Sequence, residues 1–260
     1  QSTNIEVINV AEEVNQGLNL ITFFGHSSPV STDFDIGNVT DPVMGYNNKG
    51  KYPVLLMNGC SAGSYFLDTS LFGENWINTP NRGALGVIAH SFFGYASTLQ
   101  RYSSLFYQIG YGDTLFINKG LGDVQKEVAK KYLSFYGTSE VDISQVQQMM
   151  LLGDPSIKLF GAAKPDYEIK QESIALESFN GEPVTALMDS FKLKIVVQNF
   201  GTAVDKNLKV EVTRTLSDNS TVVYDTLFDP LRYSDTLIFV IPAPKINGFG
   251  KNIFSLQLDG

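Results

Sequence analysis

The sequence contains one cysteine and two histidines, and their settings limit the chemistry that the chain can perform. Cys60 lies in the run NGCSAGS, directly after the apolar run VLLM at 54–57. Small residues on both sides let the backbone turn sharply and leave the thiol uncovered. His26 lies in GHSSP, after the apolar run LNLITFF. An imidazole beside such a thiol can take its proton and later protonate a leaving amine, which is the division of labour in acyl transfer.

Two predicted strands must bring this pair together. The apolar runs at 18–24 and 54–58 are typical of strands that are buried on both faces of a parallel sheet. The chain between them is long enough for a parallel crossover. If the strands are neighbours, Cys60 and His26 emerge at the carboxyl edge of the sheet, where open α/β sheets bind ligands. We also predict a helix from the segment SYFLDTSLFGENWI, whose positive amino-terminal end would stabilise a thiolate at Cys60.

A third apolar run, ALGVIA at 84–89, ends at the second histidine. This position predicts side chains that line the cleft, and the candidates for a substrate pocket are His90, Ser91, Phe92 and Trp76. The alternative for His90 is a hydrogen-bonded residue with no chemical task, and aromatic side chains at such positions are often simply core. His26 ranks ahead of His90 as the general base because its motif predicts exposure. Cys60 has its own alternative, since free cysteines are commonly buried.

Composition excludes several classes of function. With 260 residues, 43% hydrophobic and 18% charged, the chain has the make-up of a globular protein with room for two domains. A net charge of −8 gives little electrostatic support to nucleic-acid binding. No apolar run approaches the ~20 residues of a membrane span. One cysteine rules out an internal disulfide, and one cysteine with two histidines argues against a zinc site.

Helical spacing dominates the remainder of residues 1–162. We predict a helix at 5–16, and a helix at 143–152 that the turn Gly153-Asp154-Pro155 ends. We also predict a last strand at 157–160. Two further helices have one apolar face each, made of Leu99, Tyr102, Phe106 and Ile109 and of Val124, Val128, Tyr132 and Phe135.

The hydrophobic period changes from helical to two after a short linker at 161–165. In FKLKIVVQN and LKVEV, alternate residues are apolar, and turn clusters separate several such runs. This pattern predicts an antiparallel β-sandwich of immunoglobulin type at 166–260. That region contains neither histidine nor cysteine, so we expect the chemistry in the first domain.

Three motifs resemble those of the gingipain family of cysteine peptidases, in the caspase-like clan. They are GHSS at 25–28, NGCSAG at 58–63 and QMMLLGDPSIKLF at 148–160, and the resemblance spans roughly 5–161. It implies a three-layer caspase-like domain with a mostly parallel sheet, followed by an immunoglobulin-like domain. It also implies that Cys60 is the nucleophile and that His26 is the base and acid. The backbone N–H of Cys60 and one near Ser27 would hold the oxyanion, within the backbone of Gly25, Ser27, Gly59 and Ser61.

One departure from the family concerns Ser27, which stands where the family usually has glycine. Serine tolerates a positive φ poorly, so the oxyanion site is in question. The resemblance implies a cysteine-type endopeptidase that forms an acyl-enzyme with a protein or peptide substrate, at the surface of a bacterium or outside it. Two alternatives stay open: a sortase-like transpeptidase, and a catalytically inert surface or adhesion protein.

No cofactor is required by this reading, although the resemblance allows calcium. Asp33, Asp35 and Asp41 are three carboxylates in one loop that could hold it, and a solvated loop is the alternative. We further expect the chain to be a piece of a longer protein. Only four parallel strands are predicted, and the resembled fold has more, with a further subdomain ahead of the histidine. We therefore expect weak or no turnover from these residues alone.

Overall fold

The computed structural model describes residues 5–67, 71–159, 161–185, 187–243 and 250–259. The chain divides into two compact units, Gln1–Phe160 and Gly161–Gly260. The two units are built differently, and each is described by itself.

The first unit mixes strands and helices. In chain order its elements are β1 (Glu6–Val7), α1 (Ala11–Gln16), β2 (Leu20–Phe24), β3 (Phe34–Asp35), β4 (Val54–Asn58), α2 (Phe72–Asn78), β5 (Gly86–His90), α3 (Ala96–Gly112), α4 (Leu121–Tyr136), α5 (Glu140–Gln148) and β6 (Met149–Gly153).

A four-stranded sheet in the order β2-β4-β5-β6 forms its centre. The pairs β2–β4 and β4–β5 are parallel, and β6 runs antiparallel to β5. Alternate residues of β4 enter different cores: Leu56 packs with residues of α3 and α4, and Leu55 packs with residues of α1 and α2. Both faces of the sheet are therefore covered, which explains why these strands are unbroken apolar runs. The predicted mixed α/β class is confirmed.

Four local predictions are wrong. The last strand of this unit among the described residues is β6. In the strand predicted at 157–160, Lys158 forms only an isolated bridge with Gly120, and residue 160 lies outside the described residues. Residues 149–152 form a strand and not the end of the predicted helix, because pairing with β5 satisfies their backbone groups and buries Met149. Residues 6–7 are not helical because they pair with β3. The helix after Cys60 begins only at Phe72, so no helix amino terminus follows the cysteine directly.

The apolar spacing of the long helices predicts their buried faces well. Leu99, Tyr102, Phe106 and Ile109 are all buried in α3. In α4 the same is true of Val124, Val128 and Tyr132. Phe135 differs, because it lies in the last turn of α4 and is 65% exposed.

The second unit consists of strands. They are β7 (Tyr167–Glu177), β8 (Ser190–Asn199), β9 (Leu208–Thr215), β10 (Thr221–Phe228), β11 (Ser234–Pro242) and β12 (Ile253–Asp259). Two three-stranded antiparallel sheets, β11-β8-β7 and β10-β9-β12, share one hydrophobic core. Alternate residues of β8 and β9 are buried, as the period of two predicts. The immunoglobulin-type topology stays a prediction. None of the helices in the described part of the chain is long and apolar enough to cross a membrane.

Candidate active site

Two neighbouring strands bring the loops of His26 and Cys60 to one edge of the sheet. Strands β2 and β4 are parallel, with Phe24 opposite Asn58, and the Gly25 N–H donates to the Asn58 carbonyl at 3.1 Å. The His loop (residues 25–33) therefore starts beside the Cys loop (residues 59–64). The predicted adjacency of these strands is confirmed, whereas the chemical roles of the two residues stay predictions.

Ser27 ties the His loop to the Cys loop. Its hydroxyl donates to the carbonyl of Cys60 at 2.8 Å. A side chain on Gly59 would collide with the Ser27 hydroxyl, so glycine is needed there for this close approach. Ser27 is not among the described non-glycine residues with positive φ. The strain expected from serine at this position therefore does not arise.

The Cys loop is a tight turn that is bound to the segment following β5. Ser61, directly after the cysteine, has a φ of 61°, in the left-handed region. Its N–H donates to the Phe92 carbonyl at 2.9 Å, and the Gly63 N–H donates to the His90 carbonyl at 2.9 Å. We call residues 90–95 the aromatic loop. A turn held by backbone bonds, and not the predicted helix amino terminus, thus borders Cys60.

The thiol of Cys60 is half-buried and contacts the backbone of Gly94. The Gly94 N–H donates to Sγ at 3.4 Å, and Sγ lies 3.8 Å from the Gly94 carbonyl oxygen. The aromatic loop therefore borders the candidate reacting atom directly. Sequence reasoning missed Gly94, because nothing in a lone glycine after two phenylalanines indicates such a contact.

His26 is anchored through its backbone, and its side chain is exposed. Its N–H donates to Oδ2 of Asp33 at 3.1 Å, and its carbonyl accepts from the Asp33 N–H at 2.9 Å. None of the residues that the structure describes hydrogen-bonds the His26 imidazole. The main chain of this residue is thus fixed, while its ring stays available to the thiol or to a substrate.

His90 has the opposite environment. It is 1% exposed, and its Nδ1 lies 2.9 Å from the carbonyl oxygen of Phe92. Burial lowers the pKa of His90, and the hydrogen bond to Phe92 opposes this effect in part. A buried ring that braces the aromatic loop does not line an open pocket, which corrects that prediction for His90.

Trp76 is likewise not a pocket residue. It is 0% exposed, its Nε1 donates to the Gly37 carbonyl at 3.2 Å, and its ring contacts Tyr46. Trp76 belongs to the core because its large apolar area is stabilised there. Of the other candidates, Ser91 is half-buried and Phe92 is 58% exposed.

The loop carboxylates hydrogen-bond to nearby backbone groups, and calcium binding stays a prediction. Asp33, Asp35 and Asp41 each accept hydrogen bonds from backbone N–H groups of their own loops. Across the described residues, no three side chains of the His, Cys, Asp or Glu types group together as metal ligands. These carboxylates therefore fit the alternative reading, turns in a solvated loop.

Asn58 is a further residue of the site that sequence reasoning did not identify. It is fully buried, its amide donates to the Phe23 carbonyl at 3.1 Å, and its Oδ1 accepts from the Ser103 hydroxyl at 2.7 Å. It thereby joins the ends of β2 and β4 to α3. The available signal was a polar residue that closes an entirely apolar strand, since such a residue must find partners when it is buried.

A thiol and an imidazole on adjacent loops at the carboxyl edge of a mixed α/β sheet define a candidate site for cysteine-dependent acyl transfer. The family model described as Peptidase family C25 matches residues 1–160. The chain belongs to this family, the gingipain family of cysteine peptidases, and the identification from its motifs is confirmed. No curated protein sequence matches the chain.

Solved structures give the same fold. The chain is similar to the Arg-specific cysteine proteinase gingipain R, with 15% identity, a TM-score of 0.50, and 95% of this chain and 54% of that one covered. It is also similar to the complex of the pro- and mature domains of RgpB from Porphyromonas gingivalis, with 15% identity, a TM-score of 0.50, and 95% and 55% covered. The chain thus spans about half the length of these structures.

Proposed function

We propose that this chain carries the reacting residues of a cysteine-type endopeptidase, with Cys60 as nucleophile and His26 as base and acid. The observation that supports this most is the parallel pairing of β2 with β4, because it starts the His loop beside the Cys loop. Membership of the family supports a protein or peptide substrate and an extracellular or cell-surface location.

The proposed reaction has two stages. His26 takes the proton of the Cys60 thiol while Sγ bonds to the peptide carbonyl carbon. The protonated imidazole then donates to the leaving amine as the C–N bond breaks, which leaves a thioester on Cys60. In the second stage His26 takes a proton from water, the water oxygen bonds to the acyl carbon, and the thiol returns. An amine in place of water would give transpeptidation.

The oxyanion needs backbone N–H groups that are not engaged elsewhere. Two of the predicted donors do not qualify, since Gly25 donates to Asn58 and Ser61 donates to Phe92. The N–H groups of Ser27, Gly59 and Cys60 have no partner among the described residues. Of these we assign the oxyanion to Cys60, the nucleophile residue itself, and to Ser27, whose hydroxyl holds the two loops together.

The test is to trap the acyl-enzyme. Purified protein that includes these residues is mixed with an activated peptide ester and quenched, and mass spectrometry locates the adduct. We expect a peptidyl thioester on Cys60, its absence in Cys60→Ser, and much slower formation in His26→Gln. Adding glycinamide separates hydrolysis from transpeptidation by the product formed. Alkylation of Cys60 by iodoacetamide without any acylation would contradict the proposal and favour an inert, peptidase-like domain.

A further inference from the structure

The aromatic loop exposes three rings beside the candidate nucleophile. Phe92 is 58% exposed, Phe93 is 70% exposed and Tyr95 is 63% exposed. The rings of Phe92 and Phe93 contact each other edge to face, with centroids 4.7 Å apart. Neighbouring exposed aromatic side chains form an apolar patch, and such patches on soluble proteins mark binding sites.

Hydrogen bonds fix this patch to the reacting centre. The Phe92 carbonyl accepts from the Ser61 N–H at 2.9 Å, and the Gly94 N–H donates to the Cys60 sulfur at 3.4 Å. Phe93 lies between these two anchored residues. A peptide whose carbonyl is attacked by Cys60 must therefore place a neighbouring side chain close to the aromatic loop.

The described loops around Cys60 offer little negative charge to a cationic side chain. Lysine or arginine next to the scissile bond requires a free carboxylate in the pocket. The His, Cys and aromatic loops contain one carboxylate, that of Asp33. Its Oδ2 accepts from the His26 N–H at 3.1 Å and its Oδ1 accepts from the Phe34 N–H at 2.9 Å. This group is committed to the backbone of its own loop.

We infer that Phe92, Phe93 and Tyr95 form an aromatic subsite for an apolar or aromatic side chain on the residue whose carbonyl is attacked. This inference rests on the proposed peptidase function and names the class of peptide that it acts on. The preference differs from that of the similar gingipain R structure, which is described as Arg specific.

The test compares peptidyl acyloxymethyl ketones that differ only in their last residue, phenylalanine or arginine. In each reaction the Cys60 sulfur bonds to the ketone methylene, the carboxylate leaves with its electron pair, and the thiol proton passes to base. We expect the phenylalanine probe to label Cys60 at least about tenfold faster, the scale on which apolar pockets discriminate. In Phe92→Ser/Phe93→Ser this advantage should disappear when each peptidyl rate is divided by that variant's own rate with iodoacetamide.

A matched control is Phe135→Ser, which removes an equally exposed ring from the end of α4 and should keep the advantage. Faster labelling by the arginine probe, or an advantage that survives the double substitution, would overturn the aromatic subsite alone. Labelling by iodoacetamide but by neither peptidyl probe would overturn the peptidase proposal together with the subsite.

Discussion

The two histidines of the chain lie in the His loop and in the aromatic loop. These loops follow β2 and β5, the two strands on either side of β4, and so flank the Cys loop. Strand β2 leads into His26, and strand β5 ends at His90. His26 is exposed with an imidazole that no described residue hydrogen-bonds, whereas His90 is 1% exposed and bonded to Phe92. The two strands that flank β4 thus lead to an exposed histidine two residues past the end of β2 and to a buried histidine at the end of β5 that braces a loop.

The difference follows from the places of the two strands in the sheet. Strand β2 lies at the edge of the described sheet, and its residues are only partly covered. Strand β5 lies between β4 and β6, and all of its residues are buried. The last residue of an inner strand is therefore desolvated, and its polar atoms must find protein partners.

The largest expected effect is on peptidase activity, when each histidine is substituted in turn. We expect His26→Gln to lower kcat/KM for a peptide substrate by about 10²–10⁴-fold, the usual contribution of a general acid–base residue. His90→Gln should lower it far less, because Gln can still donate to the Phe92 carbonyl. Steady-state kinetics of both variants at equal folded concentration checks this. An equal loss in both would remove the distinction between the two loops.

The second effect concerns the free energy of unfolding, which we expect a substitution of His90 to lower more than a substitution of His26. His90→Ala deletes a buried ring and its hydrogen bond to the Phe92 carbonyl, which the Ser61 N–H still bonds, and we expect it to lower the free energy of unfolding by about 0.5–3 kcal/mol. His26→Ala alters an exposed ring and should change it by less than about 0.5 kcal/mol. Urea unfolding followed by circular dichroism measures both values. A larger loss for His26→Ala would show that its ring, and not that of His90, holds the fold.

The third effect tests the tie between the His loop and the Cys loop. Ser27→Ala deletes the hydrogen bond to the Cys60 carbonyl. We expect this to lower the free energy of unfolding by about 0.5–1.5 kcal/mol. If that bond positions the oxyanion donors, kcat falls by up to about tenfold while KM is unchanged. Ser28→Ala is the control, since its hydroxyl bonds only within the His loop. A kcat equal to that of the wild type would reduce Ser27 to a packing role.

The smallest effect is in the pH dependence of stability. Because burial lowers the pKa of His90, the unfolded chain takes up this proton at a higher pH than the folded chain does. Stability from this group is therefore full above about pH 6.5 and falls as the pH drops below that value. We expect His90→Gln to flatten the dependence between about pH 7 and pH 5. A slope identical to that of the wild type in urea unfolding would argue against a buried, neutral His90.

Sequence reasoning predicted the strands that carry the two loops because short, unbroken apolar runs such as 54–57 are typical of strands buried on both faces. It failed for residues 64–67, where apolar content alone indicated a helix, and the helix begins only at Phe72. Phe66 and Leu67 are 87% and 50% exposed, so these apolar residues do not form a buried helical face. Helical periodicity, rather than apolar content, was the signal that succeeded in α3.

Local sequence patterns could not predict the contacts that shape the site. The Ser27 hydroxyl meets the Cys60 carbonyl, and Gly94 meets the Cys60 sulfur, only after β2, β4 and β5 have paired. The same holds for Met149, where pairing with β5 overrides the predicted helix. Residue types near the cysteine thus indicated the chemistry, while the partners that position it depend on tertiary pairing.

The most direct test of the central claim is to find which imidazole faces the Cys60 thiol. A dihalogenated acetone alkylates a thiol first and then bridges it to a nucleophile within reach. After digestion, mass spectrometry identifies the second attachment point. The account predicts a Cys60–His26 bridge in the wild type and in His90→Gln, and none in His26→Gln. A Cys60–His90 bridge, or Cys60 alkylated without any bridge to His26, would contradict it.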